Sequence, residues 1–436
     1  MTAKSTGTRC AFFCANLVCW GVCFCSALYA EPQKLAIEIG LLGCSDHRDS
    51  DKWLMGEISS FMAAHPAITV KVTEWGLARE SRELEEALVL PKNIIGICSV
   101  PGYETAYLAR RDEIVPIETF LPDPEFTMDS FYPNLWRPVQ FAGKTWGVPW
   151  ATMVPVLIWS PTLFAKAGIA GPPATWEDFM ECAKLLTKDL DEDGIVDQVG
   201  CAPLKLGALG FLAAQIAVQK EVFFITDKGY VSYSDGVAEI FALTRRMALL
   251  VNEINSGAAY GARYAMGLAK TSSSELLKYG QDPDYRLAPL PSIGPSKALG
   301  NFGSLYLAVR KSTPEQEAAS WKLIKWISRK DVALPSALHG YPVRKDFVDR
   351  EDFAAFSDKW FHGARVAWEN NQYLVEFGSQ AVVDRYEGLK RLLVSVQMGM
   401  ATGEAARTAW NAATDDLNAK LVILPELGNR KYELFK

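Results

Sequence analysis

An acidic stretch near the middle of the chain has the residue types and spacing of an oxygen-ligand cation site. The segment 189–197 reads DLDEDGIVD, with carboxylates at alternating positions and a glycine at the sixth. A calcium loop begins this way, but its twelfth position carries a bidentate Glu, and here that position is Gly200. Two interpretations stay open: a solvated acidic turn with no metal and no cofactor, or calcium bound by Asp189, Asp191, Asp193 and Asp197.

Motifs for enzymatic chemistry are missing from the sequence. Its four histidines (His47, His65, His339 and His362) show no metal-ligand spacing such as HExxH. The sequence contains no GxSxG nucleophile elbow, no phosphate-binding GxxxxGK[ST] loop and no GxGxxG turn. A pair of catalytic carboxylates assembled in a cleft would leave no mark in sequence spacing. Because none of these motifs is present, we expect a binding protein rather than an enzyme.

Aromatic and polar residues stand where predicted strands end. Trp75, Tyr103 and Trp150 each close or follow an apolar run, and Asp46 and Arg48 follow the first one. Indole and phenol rings can stack on the apolar faces of sugars, while charged groups accept from and donate to sugar hydroxyls. Ordinary packing of the rings and a solvated loop around the charges are the alternative interpretations.

The order of elements predicts how these residues are positioned. The first part of the chain alternates strands with helices, one of them capped by Asp51, and this pattern predicts a largely parallel α/β sheet with right-handed crossovers. Ligands of such sheets lie beyond the carboxyl ends of the strands. The predicted strands are 34–43, 68–75, 94–100, 145–149, 154–159, 285–289 and 304–309, and the predicted helices include 79–88, 237–255 and those opened by Thr175 and Pro314.

Length and charge restrict the class of protein. A chain of 436 residues exceeds what one hydrophobic core usually organises, so two lobes are expected. The net charge of −6 disfavours a nucleic-acid partner, which would require a clustered basic face.

One continuous segment carries a family resemblance. It includes GVPW (147–150), then FAKAG (164–168), and PPATWEDF (172–179) at a helix entry. Further on, LAPLP (287–291) and GYPVR (340–344) complete the pattern. This succession resembles the extracellular solute-binding proteins of ABC importers, the class that contains maltose-binding protein and other sugar binders.

The resemblance implies a two-lobed periplasmic-binding-protein fold with discontinuous lobes. The first lobe would comprise 31–152 and 304–341, and the second 153–303 and 342–436. Three crossings between the lobes would permit hinge closure over a ligand. The resemblance also adds ligand contacts near the crossings and in a C-terminal loop: Gly303, Ser304, Arg344 and Tyr373. For Arg344 a surface ion pair is the alternative.

One departure from the family bears on the ligand. After Ala265-Met266 the family often has a loop with an aromatic ring for the sugar, whereas this chain reads GLAKTSSS over 267–274. Hydroxyl groups replace the ring in that loop, so the resemblance supports a sugar ligand less directly.

The N-terminus predicts export. Lys4 and Arg9 precede an uncharged apolar run over 11–28, which is typical of a signal peptide over residues 1–30 with cleavage after Ala30. A second interpretation is lipid anchoring at Cys44, because LLGC (41–44) fits a lipobox. The cysteines beyond the signal region, Cys44, Cys98, Cys182 and Cys201, are compatible with disulfides in an exported protein or with buried thiols.

The sequence and the resemblance together predict an exported, monomeric binding component of an ABC import system, periplasmic or at the cell surface. It would capture a sugar or sugar conjugate by hinge closure and deliver it to membrane permease subunits. The alternatives are the same fold binding a non-sugar solute, and a binding or adhesion role outside transport.

Overall fold

The structure is a computed structural model of the full chain. It describes residues 34–42, 48–75, 96–152, 154–204, 233–270, 282–293, 304–329, 342–348 and 404–419, with short pieces at 212–213, 215–217, 219–220, 222, 225–226 and 229–230.

The first sheet contains six strands in the order β2-β1-β3-β14-β4, with β7 also paired to β14. β1 is parallel to β2 and β3, whereas β14 runs antiparallel to β3, β4 and β7. The predicted parallel arrangement of the first three strands is therefore confirmed. The strands are β1 (Leu35–Leu42), β2 (Ile68–Trp75), β3 (Gly96–Pro101), β4 (Ile114–Val115), β7 (Val148–Ala151) and β14 (Leu305–Arg310).

In the part of the chain that the structure describes, three helices pack on this sheet: α1 (Arg48–Ala64), α2 (Gly102–Arg110) and α6 (Pro314–Ile327). The apolar face of α1 buries Leu54, Ile58 and Phe61. α1 begins at Arg48, so the prediction that Asp51 caps it is wrong. Asp51 instead lies inside the helix, three positions after its first residue.

The second sheet has four strands in the order β13-β8-β12-β9. β8 is antiparallel to β12 and β13, and β12 is parallel to β9. Two helices, α4 (Trp176–Leu185) and α5 (Asp235–Ser256), pack against β9. The strands are β8 (Pro155–Trp159), β9 (Val196–Cys201), β12 (Ala258–Lys270) and β13 (Arg286–Ala288).

The remaining described elements are small or peripheral. Two short hairpins pair β5 (Gln140–Phe141) with β6 (Lys144–Thr145) and β10 (Ile225–Thr226) with β11 (Gly229–Tyr230). The short helix α3 (Pro161–Lys166) follows β8, and the short helix α7 (Lys345–Val348) begins directly after Arg344. Helix α8 (Glu404–Ala419) lies near the C-terminus. Trp410 anchors α8 in the core, with its ring centroid 5.6 Å from that of Phe241 on α5.

Two predicted segments differ from the structure. The predicted strand 145–149 is split between β6 and β7, which belong to different sheets, because the pairing of Val148 with Leu307 begins only after a break at 146–147. The predicted loop after Met266 is strand as far as Lys270, since Leu268 and Ala269 pair with β8. Hydrogen-bond partners, which no local pattern reveals, determine both outcomes.

Within the described part of the chain, Cys98, Cys182 and Cys201 are buried and form no disulfide with one another. Burial raises the pKa of the Cys201 thiol to about 12, and burial together with nearby Asp178 and Glu181 also raises the pKa of Cys182. Because the thiolate is the reactive form, these two residues are inert side chains of the core. Cys44 and the signal region lie outside the described residues.

Asp123 joins a long loop to α6 through its carboxylate. Its Oδ2 lies 2.9 Å from Trp321 Nε1 and 2.8 Å from Lys325 Nζ. Burial acts to raise the pKa of Asp123, but the hydrogen bonds from Lys325 and Trp321 outweigh it and hold the pKa below its usual value. The stability that the ionised form provides is therefore present above the unfolded-state pKa of about 3.9 and is lost as the pH falls through the folded-state value.

We accordingly expect Asp123→Asn to lower the free energy of unfolding by about 1–2 kcal/mol at pH 7, because hydrogen bonds to a charged acceptor are lost. The difference from the wild type should shrink below about pH 4, where the wild-type carboxylate becomes protonated. Urea unfolding at several pH values measures the loss of stability at pH 7 and its decrease at low pH. The variant Asp129→Asn, at an exposed position, is the control. A difference independent of pH would contradict this account.

Candidate functional site

One edge of the first sheet collects the carboxyl ends of its three parallel strands. Leu42, at the end of β1, pairs with Trp75, at the end of β2. α1 starts at Arg48 after β1, and α2 starts directly after Pro101, so the backbone places Tyr103 in its first turn. The structure therefore brings the backbone positions of Arg48, Trp75 and Tyr103 to the same edge of the sheet.

The chain passes between the two sheets at this same edge. Leu305, which opens β14, pairs with Pro101 at the end of β3 and with Ala151 at the end of β7. In the second sheet, β8 begins with Pro155 opposite Lys270, the last residue of β12. The parallel strand β9 ends at this edge of the second sheet too. The connection from β7 to β8 thus links the carboxyl edges of both sheets, and we call this region the crossover edge.

A hydroxyl pair joins two of the chain segments at the crossover edge. Thr152 Oγ1 lies 2.7 Å from Ser304 Oγ, and both side chains are buried. Thr152 follows β7 on the way to β8, and Ser304 precedes β14. The predicted contact residue Ser304 is therefore held by the protein itself, at the entrance of β14.

Removing either hydroxyl should cost stability. We expect Thr152→Val and Ser304→Ala each to lower the free energy of unfolding by about 1 kcal/mol, since a buried hydrogen bond is lost with little change in volume. The double variant should lose less than the sum of the two single variants, because both remove the same bond. Urea denaturation of all four chains measures this coupling. Strictly additive losses would show that the two hydroxyls do not interact.

Trp150 lies on β7 at the crossover edge and is only 5% exposed. Its ring stacks with that of Trp53 on α1, with centroids 6.5 Å apart and an angle of 28° between the planes. Trp53 is half-buried. Trp53 is not among the contacts predicted from the sequence, because its position on α1 indicates only a place near the core face.

Arg344 is engaged within the protein. Its Nε and Nη2 donate to the two carboxylate oxygens of Asp346 at 3.0 and 2.7 Å, and its Nη1 donates to the Ser328 carbonyl at 2.8 Å. Its guanidinium also lies 5.2 Å from the ring of Phe131, whose backbone forms a bridge with Arg344. These contacts hold the segment at Arg344, which is predicted to be the third crossing between the lobes, against the loop at Phe131 and the end of α6.

Three predicted contacts, Asp46, Gly303 and Tyr373, lie outside the described residues. Those that the structure does describe fall into two groups. Arg48, Trp75, Tyr103, Trp150 and Ser304 share the crossover edge, and Arg344 belongs to the separate connection near Phe131.

The acidic turn lies at the opposite edge of the second sheet, where β9 begins. Carboxylate oxygens of Asp189, Asp191 and Asp197 all lie within 4.8 Å of one another. Asp189 accepts from the amides of Glu192 and Gly194, and Asp197 accepts from that of Leu190, each at 2.8 Å. These bonds close the turn through its own backbone, at a distance from the crossover edge.

Comparisons with known proteins agree with this architecture. Residues 45–333, more than half of the chain, match the family model described as bacterial extracellular solute-binding protein. A protein of Brucella abortus strain 2308 that is named as a binding protein is 22% identical over 371 residues, which cover 76% of this chain and 83% of that protein.

Among the described residues, no helix is long and apolar enough to cross a membrane.

Solved structures share the fold. The sugar-binding protein MalE of Xanthomonas citri superposes with a TM-score of 0.69 at 18% identity, covering 88% of this chain and 98% of that one. An ABC transporter solute-binding protein of Thermotoga lettingae bound to alpha-D-tagatose gives 0.69 at 20% identity, covering 89% and 99%. Maltose-bound MalE3 of T. maritima gives 0.69 at 16% identity, covering 89% and 100%.

The two α/β sheets joined at their carboxyl edges and the family match over residues 45–333 lead to one assignment. The chain belongs to the family of bacterial extracellular solute-binding proteins.

Proposed function

We propose that this protein captures a sugar or sugar conjugate at the crossover edge and closes its two lobes around it. The observation that supports this most strongly is that the connection between the sheets lies between their carboxyl edges. A ligand held there would contact both lobes, and only a ligand with such differential contacts can stabilise a closed state. The lobes that we propose are 31–152 with 304–341, and 153–303 with 342–436.

A carbohydrate fits the residues of this edge. Trp75 ends β2 at the edge, and Trp150 stacks with Trp53 beside it. Rings of this kind suit the apolar faces of sugars. The similar structures with bound alpha-D-tagatose and maltose support the same class of ligand. Arg48 and Tyr103 are proposed as further contacts, with Asp46, Gly303 and Tyr373. Ser304 and Arg344 would act mainly by holding the connections in place.

Delivery to ABC permease subunits follows as the proposed role of the closed form. We further propose a monomer exported by cleavage after Ala30, free in the periplasm or at the cell surface, with lipid anchoring at Cys44 as the second possibility. We propose no catalytic step and no cofactor. The acidic turn lies at the edge of the second sheet opposite the crossover edge, so the proposed capture does not involve it.

A thermal-shift screen of the chain from Glu31 tests the ligand class. The panel comprises tagatose, maltose, maltotriose, mannobiose and mannotriose, with amino acids, polyamines and glycerol phosphodiesters as the contrast. A ligand at a hundred times its dissociation constant adds about 2.7 kcal/mol to the free energy of unfolding. We expect a clear shift with at least one sugar.

The alternatives give different results in the same screen. A shift with amino acids or polyamines alone would replace the sugar by another solute and leave the transport role standing. No shift with any solute would contradict capture of these ligands and favour the binding or adhesion role outside transport.

A further inference from the structure

The two stacked tryptophans at the crossover edge differ in what they can offer a ligand. Trp150 is 5% exposed, and its ring forms an offset stack with that of Trp53. Trp53 is half-buried and lies within the first two turns of α1, the helix that follows the carboxyl end of β1. Of the two rings, Trp53 therefore carries the larger solvent-accessible surface, and Trp150 supports it from the core.

Their indole N–H groups are a second, independent observation. Four tryptophans elsewhere in the described part of the chain donate to acceptors of the protein: Trp136 to the Met128 carbonyl, Trp176 to Gln219, Trp321 to Asp123 and Trp326 to Glu57. Between described residues, by contrast, neither Trp53 nor Trp150 donates a hydrogen bond from its indole.

We infer that Trp53 and Trp150 together form the binding platform for a pyranose ring, with Trp53 as the stacking ring and Trp150 as its support. This inference rests on the proposed function and assigns a contact residue within it. A pyranose combines an apolar face with a rim of hydroxyls. The ring of Trp53 suits the face, and the indole donors suit hydroxyl oxygens of the rim.

Packing alone would give Trp53 a different role. Its side chain contacts the hydrophobic core, so its removal should lower stability in either case. If Trp53 is part of the platform, its removal must also weaken sugar binding by the folded protein. If Trp53 only packs against the core, its removal leaves the affinity of the folded protein unchanged. Affinity, measured separately from stability, therefore distinguishes the two roles.

The test is calorimetric titration of the chain from Glu31 with tagatose, maltose, maltotriose, mannobiose and mannotriose. For the sugar that binds the wild type most tightly, we expect Trp53→Ala to weaken affinity by about 10- to 100-fold, as for a buried aromatic contact. Trp53→Phe keeps a ring but lacks the N–H donor, so its loss should be less than about tenfold. Trp53→Phe should also reduce the change in tryptophan fluorescence that the sugar produces, since Trp150 and Trp75 remain.

The matched control is Trp326→Phe. Trp326 is likewise half-buried and packs against the same core, but it lies near the C-terminal end of α6, where its ring centroid is 5.8 Å from that of Phe61. This variant should bind the sugar with wild-type affinity and keep the fluorescence change.

The outcomes separate the inference from the proposed function. Wild-type affinity in Trp53→Ala, with tight binding by the wild type, would overturn the platform and leave sugar capture intact. If Trp53→Ala does not fold, an unchanged fluorescence response in Trp53→Phe overturns the platform equally. If the wild type binds none of the five sugars, the proposed function fails and the platform fails with it.

Discussion

Gly200→Ala should lower the free energy of unfolding by about 3 kcal/mol or more, because the added methyl group has no space. A Cβ atom at this position of β9 would lie 1.9 Å from the carbonyl oxygen of Ala183 on α4 and 2.6 Å from its carbonyl carbon. Both are backbone atoms, so a side-chain rotation cannot relieve the contact. Helix and strand would have to separate, which would disturb the core of the second sheet.

Urea unfolding followed by circular dichroism measures this effect. Gly56→Ala is the matched control, since an added Cβ there has no neighbour within 4 Å and the residue lies inside α1. It should raise the free energy of unfolding by about 0.5–1 kcal/mol through helix propensity. Equal stability of Gly200→Ala and the wild type would show that α4 does not pack on β9 as described.

Trp176→Ala should cost about 4 kcal/mol through two effects on the same core. The indole is fully buried, and deleting a large aromatic side chain from a core typically costs about 3–5 kcal/mol. Its Nε1 also donates to Gln219 Oε1 at 3.0 Å, so the variant leaves a buried amide oxygen without that donor.

Thermal and urea unfolding of Trp176→Ala test this, with Leu185→Ala on the same helix as the control. Leu185 is 51% exposed, and its truncation should change the free energy of unfolding by no more than about 0.5 kcal/mol. A comparable loss in both variants would contradict a core centred on Trp176.

The elements that follow from the sequence are those specified by local signals. Alternating residues predict β2 over Ile68–Trp75, and the structure has the same bounds. Thr175 and Thr313 precede α4 and α6, and both form capping boxes with the third helical residue. Capping depends on side chains that reach nearby backbone amides, so a few neighbouring residues suffice to predict it.

Contacts between distant segments could not be predicted in this way. β14 pairs with β3 and β4, which lie about two hundred residues earlier in the chain, and with β7, which lies about 155 residues earlier. β12 contains a register shift between Ala258 and Arg263, with Gly261 at φ +88°. The close approach of Gly200 to Ala183 likewise exists only once helix and strand are packed. Tertiary pairing determines all three features.

The residues of the candidate site also differ in whether the sequence predicts their place or only tertiary packing reveals it. Parallel strands bring their carboxyl ends to one edge, so the order of elements alone predicted where Trp75 and Tyr103 would lie. Trp53 could not be identified because its place on α1 predicts only packing. Its significance comes from the stack with Trp150, ninety-seven positions along the chain.

The most direct test of sugar capture by lobe closure is small-angle X-ray scattering of the chain from Glu31, titrated with the sugar that gives the largest thermal shift. We predict a saturable decrease in the radius of gyration that is complete at one sugar per chain, because closure brings the two lobes together. A radius of gyration that does not change while the sugar saturates its site would contradict capture by closure.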